Sequence, residues 1–360
     1  MSLTDLVKSI ARNGVLGLAL CLSSCSDGKS FSCQTDYDCP PSYFCVEGEC
    51  RDVAWKDIPP AIFPDAGADV QMPNEALTGK MVFTSNRDST MDNYVQSFYI
   101  LDLRTHEESL LLSGKPGNYK DFPAWSPNGQ KIAFSADSGD GYISLYLVEV
   151  GTGNSQRITY DGDYFTPSWS PEGEKLACAF EQDPNDDIEI DIYIINSDGS
   201  NRQRLTTDLS PDETPQWSPS GDAIVFSSLR AGSRQIYTMN PDGSNQVNVT
   251  NTSYTESWPA WHPDGRKIAF TSTRDRLSGT GATHSIYVLD LDSGEQDNLT
   301  PDRGYALYAR WSPDGNYIAF LSIVSGSRDI FVRKVGPLNT TLENITNNPA
   351  EEGLFDWTSK

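Results

Sequence analysis

Histidine is scarce in this chain, and basic residues are outnumbered by acidic ones. Three histidines occur in 360 residues, and 50 acidic residues stand against 27 lysines and arginines, giving a formal net charge of −23. Because nucleic-acid phosphates require lysine and arginine, this acidic excess excludes a nucleic-acid partner. His106, His262 and His284 lie far apart without metal-ligand spacing, so the sequence predicts no histidine-based metal site.

Catalytic signatures are also missing. The sequence contains neither a Gly-x-Ser-x-Gly elbow nor a His-Glu-x-x-His motif, which mark serine hydrolases and zinc peptidases. We therefore predict a protein that is not an enzyme and that has no catalytic residues and no resident cofactor.

The apolar stretch near the N-terminus, residues 15–22, is too short to span a bilayer. Lys8 and Arg12 precede it, which is the pattern of a secretion signal. It ends in a Leu-Ser-Ser-Cys sequence at Cys25 that resembles a bacterial lipobox, in which the cysteine is lipidated. We expect residues 1–24 to be a lipoprotein signal peptide, with an ordinary cleaved signal as the alternative. Ser26 favours sorting to the outer membrane by the same resemblance, and the choice between the periplasmic side and the cell surface stays open.

Most of the remaining cysteines lie in one short segment. Four of the seven fall within 18 residues: Cys33, Cys39, Cys45 and Cys50. In an exported chain they predict two disulfides, with three pairings possible, because so short a segment cannot bury a sufficient core. Zinc is the weaker alternative, since no Cys-x2-Cys pair is present. We expect a Cys-rich stub over residues 25–52 and a linker rich in proline and alanine over residues 53–78.

A recurring phrase dominates the rest of the chain. Trp-Ser-Pro-x-Gly, with histidine once in place of serine, begins at Trp125, Trp169, Trp217, Trp261 and Trp311, at intervals of 44, 48, 44 and 50 residues. Ser-Pro-x-Gly fits a tight turn, because proline presets φ and glycine accepts a positive φ. A repeat of about 40–50 residues with β-type content indicates a propeller with one blade per repeat.

Each repeat supplies four strands. The Trp strand is followed by an apolar strand, an Ile-Tyr-type strand and a short strand that ends in an apolar-Thr pair. The second strand occurs six times, and the sixth Trp strand is found at Trp357. We therefore expect an all-β, six-bladed propeller over residues 79–360, closed by pairing of the C-terminal strand with the first blade. The recurring tryptophans and tyrosines should pack between blades, and Cys178 should be a buried free thiol.

The repeat resembles a known family. Pro-x-Trp-Ser-Pro-Asp-Gly-x-x-Ile-Ala-Phe, followed by Ile-Tyr, Asp-Gly-Ser-Asn and Leu-Thr, is similar to the WD40-like (PD40) repeats of the TolB propeller, most closely over residues 196–206 and 240–250. The resemblance implies a periplasmic protein that docks a partner protein at a propeller face. That family also has an α/β domain before the propeller, which residues 1–78 do not resemble, so we expect a TolB-like propeller without inferring Tol–Pal function.

Carboxylates approach the predicted channel. They lie four to six residues before the tryptophans: Asp121, Asp163, Asp212, Glu213, Glu256, Glu351 and Glu352. We expect them to surround one channel mouth and to take a basic loop of a partner or a divalent cation such as calcium. Solvated loop ends in an acidic protein are the alternative.

The sequence thus predicts a lipid-anchored, monomeric protein of the bacterial cell envelope, whose propeller binds envelope proteins and whose membrane contact is the lipid anchor alone. The alternative is a propeller that binds or cleaves a glycan or peptidoglycan fragment. The clustered histidines of oligogalacturonate-type lyases are missing, which disfavours the lyase form of that alternative. An acidic, aromatic-poor mouth would favour a basic protein loop, and a face of exposed aromatics would favour a glycan.

Overall fold

The structure, a computed structural model, describes residues 77–90, 94–115, 119–182, 190–275, 284–301, 305–324, 327–336 and 342–360, and the backbone of residues 43–46 and 49–52. The predicted signal peptide, the lipidation site Cys25, the side chains of the four candidate disulfide cysteines and nearly all of the linker lie outside the described residues. Two short strands of the stub, β1 (Tyr43–Val46) and β2 (Glu49–Asp52), pair antiparallel.

Every other element in the described ranges is also a strand, and none is a helix that could cross a membrane. In chain order these strands are β3 (Lys80–Ser85), β4 (Ser97–Asp102), β5 (Glu107–Leu112), β6 (Lys120–Trp125), β7 (Lys131–Asp137), β8 (Ile143–Glu149), β9 (Ser155–Arg157), β10 (Asp163–Trp169), β11 (Lys175–Glu181), β12 (Ile190–Asn196), β13 (Gln203–Arg204), β14 (Asp212–Trp217), β15 (Ile224–Ser228), β16 (Gln235–Met239), β17 (Val247–Asn248), β18 (Glu256–Trp261), β19 (Lys267–Ser272), β20 (Ser285–Asp290), β21 (Gln296–Asn298), β22 (Ala306–Trp311), β23 (Tyr317–Val324), β24 (Ser327–Lys334), β25 (Leu342–Asn344) and β26 (Glu352–Thr358).

The strands from β3 onward form six antiparallel four-stranded sheets, the blades of a propeller. Blade 1 has the order β26-β3-β4-β5, and blades 2 to 6 have the orders β6-β7-β8-β9, β10-β11-β12-β13, β14-β15-β16-β17, β18-β19-β20-β21 and β22-β23-β24-β25. The Trp strand is the first strand of every blade. In blade 1 that strand is β26, in which Phe355 lies opposite Phe83 and Trp357 opposite Met81.

The turns form as the sequence chemistry requires. In blade 2 the Ser126 hydroxyl accepts the Lys131 amide at 2.9 Å, and Gly129 follows in the left-handed region with a φ of 71°. Gly199 lies in the turn between the third and fourth strands of blade 3 and has a φ of 87°. A Cβ atom there would lie 1.8 Å from the carbonyl oxygen of Ile158 in the preceding blade. Glycine is therefore required at this position both by conformation and by the close approach of a neighbouring backbone.

The core lies between the blades. The second strands bury their phenylalanines completely, and the blade tryptophans are at most 9% exposed. Trp169 donates its indole hydrogen to the Ala124 carbonyl of the preceding blade at 3.0 Å, and Trp261 does the same with Gln216 at 3.3 Å. The prediction of inter-blade packing is confirmed. Cys178 is a fully buried free thiol, and burial raises its pKa to about 12.

Candidate binding site in the channel

A β-bulge interrupts the first strand of every blade. The pairing register with the second strand shifts a few residues before each tryptophan. In five blades the residue three positions before the tryptophan has a φ between 50° and 56°: Phe122, Thr166, Thr214, Trp258 and Tyr308. This region is uncommon for residues other than glycine, and a bulge re-aims the side chain that it carries. All five residues line one cavity, so the bulges turn them toward the propeller axis.

Aromatic rings from four blades contact one another beside this cavity. Phe122 of blade 2 stacks on Trp258 of blade 5 with ring centroids 5.9 Å apart. Trp258 contacts Tyr308 edge-on at 5.2 Å, and Tyr308 contacts Phe355 at 5.4 Å. We call these four residues the aromatic plug. Because offset and edge-on contacts are favourable ring geometries, the plug is a packed layer across the channel.

A cavity of about 160 Å³ lies against the plug, and we call it the cup. Its wall includes a ring of prolines from four consecutive blades: Pro123, Pro167, Pro215 and Pro259. Trp125, Trp169, Trp217 and the turn residue Pro127 also contribute, so the cup extends toward the face that carries the Ser-Pro-x-Gly turns. Since a cavity of about 150 Å³ can hold benzene, the volume of the cup is sufficient for one side chain.

Arg310 and Asp356 are the two charged residues of the cup lining. Arg310 Nε lies 3.7 Å from Asp356 Oδ1, while Asp356 Oδ2 accepts the Trp125 amide at 2.7 Å. Burial raises the pKa of the Asp356 carboxyl, and Arg310 and backbone amides oppose that rise. The lining also includes Thr166, which is buried and whose hydroxyl has no hydrogen-bond partner among the described residues.

The residue directly before each tryptophan has a role that the sequence analysis missed. In three blades it accepts the backbone amide of the next blade's tryptophan: Ser168 from Trp217 at 3.1 Å, Gln216 from Trp261 at 2.6 Å and Asp356 from Trp125 at 2.7 Å. Two other blades have alanine there, and blade 6 has Arg310. Comparing this position between repeats would have singled out Arg310 and Asp356 as its two charged members.

Three of the predicted mouth carboxylates belong to a repeated structural unit. Asp212 pairs with Arg230 at 2.5 Å, Glu352 with Arg87 at 3.0 Å, and Glu256 with Arg274. Each arginine follows a serine at the end of a second strand by two residues and covers a tyrosine ring of the third strand at 4.1 to 4.9 Å. The three carboxylate residues are 0% exposed. These groups therefore stabilise the interior of blades 1, 4 and 5.

The other four carboxylates have separate surroundings. Glu213 forms a buried pair with Arg234 at 2.7 Å, and Glu351 pairs with Arg328 at 3.0 Å. The two aspartates bond to backbone amides: Asp163 accepts the Ile143 amide of the preceding blade at 2.6 Å, and Asp121 accepts the Phe122 amide at 2.9 Å. Burial raises the pKa of Asp121 to about 6.

The expected acidic mouth thus differs from the arrangement found. Five of its seven carboxylates are paired with arginine. All seven precede the bulges in sequence, whereas the cup is lined by residues at and after them. In the described part of the chain, no three histidine, cysteine, aspartate or glutamate residues lie close enough together to hold a metal ion. These residues therefore offer no ligand set for the calcium ion expected from the sequence. A binding role for these carboxylates stays a prediction.

Comparison with known proteins places the repeats among propellers. Residues 122–275 match the PD40 family, described as the TolB beta propeller domain, and residues 262–359 match the dipeptidyl peptidase IV N-terminal region. A TolB homologue of Chlorobium chlorochromatii is 39% identical over 165 residues, which cover 43% of this chain and 34% of the relative. The Tol-Pal system protein TolB of Francisella tularensis is 32% identical over 115 residues, which cover 32% of this chain and 26% of the relative. The match thus spans about a third or less of the length of either relative.

Solved structures agree on the fold. TolB from Acinetobacter baumannii superimposes with a TM-score of 0.66 at 21% identity, over 79% of this chain and 67% of that chain. An oligogalacturonate lyase in complex with manganese reaches a TM-score of 0.52 at 16% identity, over 75% of each chain. At these identities the likeness concerns the fold alone, and propellers host unrelated activities.

Proposed function

Because the chain carries a TolB-like six-bladed β-propeller, we propose that it is a non-catalytic protein-interaction module of the bacterial cell envelope. The cup is the observation that carries the proposal. It is concave, and prolines and tryptophans line it, while polar atoms make up most of its exposed wall, so it offers both apolar contacts and hydrogen bonds to a peptide segment. The partner in this proposal is an envelope protein that inserts one segment into the cup.

The chemistry of the cup favours a protein segment over a sugar. Phe122 and Trp258 each cover one ring face of the other, and the cup tryptophans Trp125, Trp169 and Trp217 are at most 9% exposed, which leaves little free ring face for a sugar to pack on. The prolines and aromatic rings of the lining offer contacts to one apolar side chain, and the small volume limits the insertion to one such side chain. In this proposal a segment with an apolar anchor takes the place of the basic loop expected from the sequence.

The proposed location is the outer membrane, to which a lipid on Cys25 would attach the protein. Its support is the sequence around Cys25, together with the similarity of the propeller to TolB proteins. The acidic chain would be repelled by anionic lipid surfaces, so attachment depends on the lipid in this proposal.

Filling the cup tests the proposed function. Thr166→Phe introduces an aromatic ring at a position where blades 2 and 6 already carry Phe122 and Tyr308 with the same backbone conformation. The fold should therefore accept the change while the cup loses its space. Thr207→Phe, at an exposed position, is the matched control.

The tagged full chain is expressed in its own bacterium, and envelope proteins are captured after cross-linking. We expect one or more proteins to be captured by the wild type and by Thr207→Phe but lost with Thr166→Phe, whose melting temperature stays close to the parent. Undiminished capture by Thr166→Phe would show that partners do not use the cup.

A further inference from the structure

Arg310 holds more hydrogen-bond donors than its surroundings use. Its guanidinium has five N–H groups. Among the described residues, Nη1 donates to the Ala309 carbonyl at 3.0 Å and Nη2 to the Tyr308 hydroxyl at 2.7 Å. The 3.7 Å separation from Asp356 is an ion pair beyond hydrogen-bond distance. Arg310 therefore brings a positive charge and spare donors to the cup wall.

Asp356 is a poor partner for the positive charge of Arg310 because its carboxylate also accepts a hydrogen bond from a backbone amide. One of its carboxylate oxygens accepts the Trp125 amide and so joins blade 1 to blade 2. Equivalent positions in blades 3 and 4 perform this task with the neutral side chains of Ser168 and Gln216. The carboxylate is thus fixed toward the backbone of the neighbouring blade, and the fork of Arg310 is only partly satisfied.

We infer that Arg310 binds a carboxylate of the inserted segment, next to an apolar side chain that packs on the aromatic plug. The inference rests on the proposed function of the cup and names the chemistry of its ligand. Arginine pairs with carboxylates through two parallel hydrogen bonds, which fix orientation as well as affinity. The side chains of Arg310 and Asp356 are only 18% and 22% exposed, which strengthens such bonds relative to the surface.

The carboxylate has two possible sources, a chain terminus or an acidic side chain. Three small probes distinguish them: N-acetyl-Gly-Phe with a free carboxylate, N-acetyl-Phe-Glu amide and the neutral N-acetyl-Phe-Gln amide. Binding to the purified full chain is followed by NMR through the indole N–H signals of Trp125 and Trp217, which line the cup.

We expect at least one acidic probe to bind about tenfold or more tightly than the neutral one, as charge-assisted hydrogen bonds imply. Arg310→Gln should abolish this preference. Arg266→Gln removes the same charge from an exposed residue beside a turn on the same face, where the arginine side chain is 72% exposed, and should keep the preference. Thermal unfolding of each variant shows that it is folded.

Asp356→Asn is a second test, in which the expected change in affinity for acidic probes has the opposite sign to that of Arg310→Gln. The amide oxygen can still accept the Trp125 amide, but the competing negative charge is gone, so acidic probes should bind several-fold more tightly. General damage to the cup would weaken binding in both variants. The acidic probe that binds better identifies the source of the carboxylate.

Equal binding of acidic and neutral probes to the wild type would overturn the inference, as would an acid preference that survives Arg310→Gln. Absence of any indole shift with all three probes would also overturn it. The proposed function is judged separately, by partner capture with Thr166→Phe, so one can fail while the other holds.

Discussion

Phe122 and Trp258 stack across the propeller axis from opposite sides of the ring, with their planes inclined by 24°. Both residues lie three positions before the tryptophan of their strand, and both have a φ of 56°. Since blades 2 and 5 are opposite members of a six-bladed ring, this contact joins two halves that share no strand pairing. The plug therefore contributes to the cohesion of the ring in addition to bounding the cup.

A double-mutant cycle tests the stacking. Phe122→Leu and Trp258→Leu should each destabilise the protein, and their coupling free energy should be about 0.5–1.5 kcal/mol, as for other aromatic pairs. Leucine keeps an apolar side chain at each position while it removes the ring. Urea unfolding measures the four free energies. Phe122→Leu combined with Phe331→Leu is the control and should be additive; a coupling near zero for the first pair would contradict the stacking.

Strand β26 holds blade 1 together, so its removal should destabilise the whole propeller. Phe355 is fully buried and Trp357 is 8% exposed. Truncating such a side chain costs about 3–5 kcal/mol, against a typical total stability of about 5–15 kcal/mol. Deleting residues 353–360 should abolish cooperative thermal unfolding or lower the melting temperature by more than about 10 °C.

Deleting residues 359–360 alone is the control for that truncation, because it leaves β26 complete. We expect this shorter deletion to change the melting temperature little. A melting temperature within two degrees of the parent for the longer deletion would rule out the proposed importance of β26.

The buried carboxylate–arginine pairs should matter far more than exposed ones. Glu256→Gln leaves Arg274 without its buried counter-ion and should cost about 3–5 kcal/mol. Asp292→Asn breaks a pair with Arg266 in which both side chains are more than 70% exposed, and should cost less than about 1 kcal/mol. If Glu256→Gln and Asp292→Asn lowered the free energy of unfolding by similar amounts in chemical denaturation, the buried pair would contribute no more to stability than the exposed one.

Asp121 should make stability depend on pH. Burial raises its pKa from 3.8 to about 6, so its ionised form is disfavoured in the folded protein. A group with a raised folded pKa favours folding at low pH, and this contribution is lost as the pH rises from about 4 through 6. Asp121→Asn should therefore be about 3 kcal/mol more stable than the parent at pH 7.5 and close to it in stability near pH 4. A pH-independent difference would assign the effect to something other than ionisation.

Cys25→Ser should prevent lipidation and release the protein from the membrane fraction. The reason is that residues 15–22 are too short to hold a bilayer by themselves. Labelling with a palmitate analogue, together with fractionation, measures both effects. An unlabelled parent protein, or a processed variant that still sediments with membranes, would refute the lipid anchor.

The blade pattern could be inferred from sequence because its signals are local. Turn residues such as Pro127 and Gly129 determine the backbone conformation of their own turn. The alternation of apolar residues in the second strands likewise indicates which of those same residues are buried. Burial of the blade tryptophans and of Cys178 follows from the same alternation.

The channel lining could not be inferred because it depends on the bulges. Nothing in the identity of Thr166 or Trp258 indicates a positive φ, yet that conformation decides which side chain faces the axis. The partners of the acidic residues were also hidden, since Arg230 lies 18 residues from Asp212 and Arg87 lies 265 residues from Glu352. The Ser-x-Arg sequence, repeated in three blades, was the available clue.

The pairing of β26 with β3 also has a kinetic consequence. Trp357 donates its indole hydrogen to the Thr78 carbonyl, a contact between residues 279 positions apart in sequence. Closing so long a loop has a large entropic cost, and contacts of high sequence separation slow folding. Blade 1 must therefore be assembled late, after the chain between its two parts has been synthesised. Until then the ring is open, which suits a polypeptide that has to be threaded through a membrane before it folds, as the predicted signal peptide requires.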